Sequence, residues 1–151
     1  MGRAMRGASV VVIAGAMLAT TATMSAAATQ APAPKPGTER ITLSATGEQG
    51  NDRSYGPEFS ADGRFALFSA DASNLVPGDT NASSDVYLRD LRTGSTRLVS
   101  ESVTGGPVTD NDVTVTSVGP GARRIGLSSH SAQLVPDDTN GTSDGFVRRL
   151  D

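Results

Sequence analysis

The sequence predicts an all-β domain made of two four-stranded antiparallel sheets, and an internal repeat is the main reason. Leu75-Val76-Pro77 returns as Leu134-Val135-Pro136, and Asp79–Asn81 returns as Asp138–Asn140, in each case 59 residues later. Both copies consist of short apolar runs separated by Gly, Asn and Asp, a pattern typical of strands and hairpins. After residue 28 no segment shows the 3.6-residue apolar period of a helix. Repeats of this length bury their apolar faces against one another.

Residues 1–28 have the features of a secretory signal peptide. Arg3 and Arg6 precede the apolar run Ala8–Ala19, and the small residues Ala26 and Ala28 favour cleavage after Ala28. An uncleaved membrane anchor is the alternative, because the apolar run is nearly long enough to span a bilayer. We therefore predict a signal helix that is removed, leaving a secreted, extracellular protein without a stable membrane anchor.

A proline-rich linker, residues 29–38, is predicted to precede a domain at residues 39–151. Proline alternates with small residues in the linker, which favours an extended polyproline II conformation. Once Arg3 and Arg6 are removed, 16 acidic residues outnumber 11 basic ones, and the two kinds are interspersed. This composition argues against nucleic acid or an anionic membrane as partner. The chain has no cysteine, which excludes disulfides.

The individual strands follow from apolar runs and turn residues. The first copy, about residues 45–100, is expected to contain four strands: Pro57–Ser60, Arg64–Ser69, Asp85–Asp90 and Thr96–Ser100. The second copy, about residues 101–151, should contain one strand within 112–118, then Arg123–Ser128 and Asp144–Arg149. Arg40–Ser44 resembles the fourth strand of the first copy, so we expect it to complete the last sheet.

Turn residues and glycines distinguish the two copies. Asp62-Gly63 supplies the positive φ angles of a tight hairpin in the first copy, and Gly119-Pro120-Gly121 replaces it in the second. Gly126 and Gly145 fall inside predicted strands, where glycine loses packing and costs backbone entropy. We therefore expect the second copy to be the weaker.

The first copy also carries a recognisable motif, F-S-x-D-G-R-x-x-x-F-S followed by S-D-V-Y-x-R-D-x-x-T-G. It resembles the WD40-like β-propeller repeat of the TolB-like group. The matching residues are Phe59, Ser60, Asp62, Gly63, Arg64, Phe68, Ser69, Asp85, Val86, Tyr87, Asp90, Thr93 and Gly94. The resemblance implies four-stranded blades around a central channel, usually six, with roles in protein interaction or as accessory domains of exported enzymes.

Two blades are too few for a closed ring, which needs about four to eight. Three interpretations follow: a remnant of a longer propeller, a homo-oligomer in which three chains close a six-blade ring head to tail, or an isolated two-sheet sandwich. We favour the remnant, with assembly as the next alternative, because the second copy is degraded.

The best candidate site residues lie in the two copies of one loop. They are Asp79, Asn81, Asp85, Asp138, Asn140 and Asp144. Oxygen side chains at alternate positions are what a Ca²⁺ loop uses, but the sixth and twelfth positions do not match a calcium-binding loop. We favour Asx-turns that fix the loop, with a weak Ca²⁺ site as the alternative and no other cofactor.

No residue pattern predicts catalysis. His130 is the sole histidine and no G-x-S-x-G motif accompanies it, while zinc would require more His or Cys ligands. We predict an exported, non-catalytic β-propeller-type module whose partner is a protein. The alternatives are an accessory fragment of an exported hydrolase and a Ca²⁺-stabilised cell-surface element.

Overall fold

Two open antiparallel sheets make up residues 36–150, the part of the chain described by a computed structural model. Sheet 1 has the order β1-β2-β3-β4, formed by Ser54–Phe59, Phe65–Ala70, Asp85–Asp90 and Thr96–Leu98. Sheet 2 has the order β5-β6-β7, formed by Val113–Val118, Arg124–Ser129 and Asp144–Arg149. The all-β prediction is thus confirmed, whereas the prediction of four strands in the second sheet is wrong for the described residues, in which that sheet has three.

Helical structure in residues 36–150 is limited to one short 3₁₀ turn, Pro120–Ala122. Within this part of the chain no helix has the length and apolar character needed to cross a membrane. The predicted signal helix and all of the linker before residue 36 lie outside the described residues.

Arg40–Ser44 does not form the strand predicted for it. Leu43 makes a single bridge to Gln49, and the Arg89 Nη1 donates to the carbonyl oxygens of Leu43 (2.9 Å) and Ser44 (3.2 Å). The buried guanidinium needs acceptors, and these carbonyls supply them. The segment therefore covers sheet 1 and does not complete sheet 2.

The tight turn between β1 and β2 forms where Asp62-Gly63 predicts it. Gly63 has φ of 66°, in the left-handed region that glycine adopts without strain. The Asp62 Oδ1 accepts the Ser60 hydroxyl at 2.6 Å and the Arg64 amide at 3.2 Å. Polar side chains thus close the hairpin.

The two sheets stack through unlike faces. We call face A the side that carries Phe68 and Tyr87 in sheet 1 and their counterparts Leu127 and Phe146 in sheet 2, and face B the opposite side. Face B of sheet 1 and face A of sheet 2 share one core, with the buried members Leu67, Val86, Leu88, Val99, Val108, Val113, Ala122, Ile125, Leu127 and Leu134. Repeated units that stack in this way can be followed by another unit in the same orientation.

Face A of sheet 1 has a core of its own, formed by Phe68, Ala70, Ala72, Leu75 and Tyr87. Ile41, from the segment before β1, packs against it. Leu75 and its repeat counterpart Leu134 are both buried, each with face A residues of its own sheet. The repeat predicted from the sequence therefore places equivalent leucines in like surroundings.

A second repeated feature escaped the sequence analysis because its spacing is 58 residues rather than 59. Ser44-Ala45-Thr46-Gly47 returns as Ser102-Val103-Thr104-Gly105, and both glycines have φ of 84°. In each turn the glycine amide donates to the serine carbonyl at 3.0 Å. The segment before β1 is thus the structural counterpart of the segment that follows β4.

Candidate functional site

The first candidate loop is closed by its own asparagine. Asn81 Oδ1 accepts the Ser83 amide at 3.3 Å, as in an Asx-turn, and Asn81 Nδ2 donates to Asp85 Oδ2 at 2.6 Å. The same amide also donates to the Val108 carbonyl oxygen. Asn81 therefore ties the loop both to the start of β3 and to the chain that leads into sheet 2.

Asp85 is fully buried at the start of β3. Its Oδ1 accepts the Ser100 hydroxyl at 2.6 Å, and the Val86 amide donates to the Ser100 hydroxyl at 2.9 Å. Burial raises the pKa of Asp85 to about 6, and the nearby carboxylates of Asp79 and Asp112 act in the same direction. This carboxyl group holds the strand end in place and is close to protonation at mildly acidic pH.

Asp79, the third candidate in this loop, accepts a hydrogen bond from the Tyr87 hydroxyl. The Ala72 carbonyl oxygen lies 3.2 Å from the same hydroxyl. Burial and the Asp79 carboxylate raise the pKa of Tyr87 above its usual range. The oxygens of the first loop are thus engaged by protein donors, which supports the Asx-turn interpretation over a cation site here.

The second loop repeats the turn but not its burial. Asn140 Nδ2 donates to Asp144 Oδ2 at 2.7 Å, and Asn140 Oδ1 accepts the Thr142 amide at 2.9 Å. Phe146 stands where the first copy has Tyr87, so Asp138 has no equivalent hydroxyl donor. Asp138 and Asp144 are only partly buried and line an open cleft of about 460 Å³.

Within residues 36–150, no group of three or more His, Asp or Glu side chains is placed to hold a metal ion. In each loop the asparagine donates to the aspartate that begins the next strand, Asp85 or Asp144. Ca²⁺ binding at either loop stays a prediction, and the partly exposed second loop is the better candidate.

Other polar residues lie near the start of β5 and the end of β6, among them the sole histidine, His130. His130 is exposed and follows β6, as predicted for a loop residue. The Ser129 hydroxyl donates to the Asp112 carbonyl oxygen at 2.7 Å, and Asp110 accepts the Ser131 hydroxyl at 2.6 Å. Asp112 Oδ1 also accepts the Ser84 amide at 2.8 Å, which links the two sheets. No local motif signalled this link, because its partners are 28 residues apart.

A cleft of about 480 Å³ lies beside β1 and β5. Asp71 accepts the Tyr55 hydroxyl at 2.8 Å, and the Arg53 Nε lies 3.4 Å from the same carboxylate oxygen. The hydrogen bond to the Asp71 carboxylate raises the pKa of Tyr55. The Tyr55 hydroxyl and the Arg53 guanidinium thus both interact with the Asp71 carboxylate.

The most distinctive surface is face B of sheet 2 together with the outer edge of β7. In sheet 1 the counterpart of β7 is β3, which pairs with β4 on that edge. In the described residues β7 pairs with β6 alone. Val147 is 66 % exposed, whereas its counterpart Leu88 is 3 % exposed under sheet 2. An unpaired edge of this kind is a template for strand addition.

The chain was compared with known protein families, curated proteins and solved structures. Neither the scan against protein-family models nor the searches of curated proteins and solved structures found a match for this chain.

Proposed function

We propose that the chain is an exported, non-catalytic protein-interaction module built from two repeats of the TolB-like β-propeller type. The observation that carries the proposal is the stacking of two repeat-related sheets through unlike faces. Such stacking leaves face B of sheet 2 uncovered, and the outer edge of β7 beside it can receive another polypeptide. The repeat motif supports the TolB-like part of this proposal, and the signal-peptide features of residues 1–28 support export.

Export is tested by expressing the full chain in a bacterium with an intact secretory pathway. The intact mass of the protein recovered outside the cytoplasm should correspond to a chain that begins at Thr29. Secreted material that retains Met1 would contradict cleavage, and retention in the cytoplasm would contradict export.

Interaction is tested by capture on the immobilised mature protein from the extracellular fraction of the producing culture. We compare the wild type with Val147→Lys, which places a charge beside the open edge of β7. Val103→Lys is the matched control, because Val103 is 54 % exposed but lies in the turn before sheet 2. A protein retained by the wild type and the control, but lost with Val147→Lys, is the expected result. Identical retention by all three variants would count against this surface.

A further inference from the structure

We propose that residues 38–40 of a second copy of this chain pair with the outer edge of β7 and form the fourth strand of sheet 2. The inference names the partner of the surface described above, and it rests on the proposed interaction function. It joins two features of the fold: the outer edge of β7, which is unpaired in the described residues, and residues 38–40, which belong to no strand.

The edge is defined by comparison of the two sheets. β4 pairs with β3 through Tyr87↔Leu98, Leu88↔Arg97 and Arg89↔Thr96. The repeat makes Phe146, Val147 and Arg148 of β7 the counterparts of these three β3 residues. In the described residues no strand lies on that side of β7, so its outward amides and carbonyls are open to a new strand.

The missing strand is identified by the repeated turn. The Ser-x-Thr-Gly turns at Ser44 and Ser102 are 58 residues apart and have the same hydrogen bonds. Thr38, Glu39 and Arg40 therefore correspond to the β4 residues Thr96, Arg97 and Leu98. Residues 36–40 are all exposed and belong to no strand.

The segment cannot reach β7 of its own chain. Ile41 packs on face A of sheet 1, and the Leu43 and Ser44 carbonyls are bonded to Arg89 on that face. Sheet 2 packs on face B, so sheet 1 lies between the segment and β7. Three residues span about 10 Å at most, roughly the thickness of one sheet layer. The pairing therefore joins different copies, head to tail.

The transferred register also places one acidic side chain, Glu39, near two arginines of face B. It pairs Thr38 with Arg148, Glu39 with Val147 and Arg40 with Phe146. Val147 lies two residues from Arg149 on face B, and Arg149 pairs with Arg124 across the sheet. Like charges that face each other across strands repel. The Glu39 carboxylate of a second copy would lie within diagonal reach of Arg149 and offset this repulsion.

Disulfide trapping tests the register directly, because the chain has no cysteine. Glu39→Cys and Val147→Cys are made separately in the full chain, purified as mature proteins, mixed, and oxidised with glutathione. Paired residues on neighbouring antiparallel strands have Cα atoms about 4.5–5.5 Å apart, which suits a disulfide. We expect a dimer containing one copy of each variant, identified by intact mass, in clear excess over dimers of either variant alone.

The matched control replaces Glu39→Cys with Glu48→Cys, an exposed position in the turn before β1. Mixed with Val147→Cys, it should give no more dimer than random collision. An equal yield of dimer from the control pair, or no mixed dimer from the Glu39→Cys pair, would overturn the proposal.

A charge exchange gives a second readout without cysteine. Glu39→Arg should weaken self-association in sedimentation equilibrium on the order of twofold to fivefold, and adding Arg149→Glu in the same chain should restore it. A purely monomeric wild type at millimolar concentration would overturn the proposal. If the mixed dimer fails while Val147→Lys still loses a captured protein, the interaction function stands and the second copy is the wrong partner.

Discussion

Asp85 and Asp144 occupy the same position in the two repeats, yet only Asp85 is fully buried. The difference arises because Asp85 lies under the chain that connects the sheets and accepts the Ser100 hydroxyl. The sequence marked both residues as candidate ligands, and the structure gives Asp85 a role in holding β3. A local sequence pattern identifies a candidate ligand, but whether that side chain is buried depends on segments distant in the sequence, such as Ser100 for Asp85.

The raised pKa of Asp85 predicts a pH dependence of stability. The folded state holds a proton up to a pH of about 6, whereas the unfolded chain releases it near pH 4. The free energy of unfolding should therefore fall as the pH rises from about 4 to about 6, and stay at the lower level above that. Urea denaturation across this range measures the fall, and Asp85→Asn should largely remove it. An unchanged slope in the variant would contradict this assignment.

Tyr87 and Phe146 differ by one hydroxyl group, which gives a second prediction at this scale. Tyr87→Phe removes the donor to the buried Asp79 and should lower the free energy of unfolding by about 1–3 kcal/mol. Urea denaturation of Tyr87→Phe, Asp79→Asn and the double variant gives the coupling between the two side chains. Additive effects would show that the hydroxyl and the carboxylate act independently.

At the scale of the element, the strands were largely predictable and the ends of the sheets were not. β3 and β7 have the predicted bounds, and β2 and β6 lie one residue from theirs. Alternating apolar residues and turn-forming glycines are local signals, so they survive in a single sequence. The pairing partner of Arg40–Ser44 is not local, because it depends on the buried Arg89 guanidinium.

The two glycines predicted to weaken sheet 2 differ in their surroundings. A Cβ at Gly126 would lie 2.6 Å from Thr116 Oγ1 and would also contact Ser117 Oγ, whereas a Cβ at Gly145 would meet nothing within 4 Å. Gly126 thus accommodates the irregular β5, whose register shifts between Val115 and Ser117. Only Gly145 fits the expectation of lost packing.

Gly145→Ala should therefore stabilise the protein, by about 0.5–1 kcal/mol, because alanine loses less backbone entropy than glycine in a strand. Gly126→Ala should give no gain, since Thr116 and Ser117 must first move. Thermal and urea denaturation of both variants provide the comparison. A gain for Gly126→Ala equal to that for Gly145→Ala would show that the contact with β5 has no energetic weight.

For the whole molecule, the core shared between face B of sheet 1 and face A of sheet 2 makes the two sheets one folding unit. Leu88 lies in this core although its counterpart Val147 is largely exposed. Sheet 2 contributes three strands and could not bury its apolar residues without sheet 1. Cooperative unfolding of both sheets follows from this arrangement.

Leu88→Ala tests this cooperativity. It should lower the free energy of unfolding by about 2–5 kcal/mol, and hydrogen exchange should show that β2 and β6 lose protection together. Val147→Ala is the matched control at the equivalent position of sheet 2, and it should change stability little because the side chain is exposed. Loss of protection confined to sheet 1 would mean that the sheets fold independently.

The sequence alone determined the all-β class, the repeat and nearly every strand, because these depend on residue spacing within a few positions. Within residues 36–150, tertiary structure decided that Arg40–Ser44 covers sheet 1 and does not join sheet 2, and which of the repeated carboxylates is buried. Those outcomes depend on how two chemically similar sheets share one core. Only one face of each sheet can be buried between the two sheets. What covers the remaining face depends on the segments that precede or follow each repeat, as Ile41 shows for face A of sheet 1.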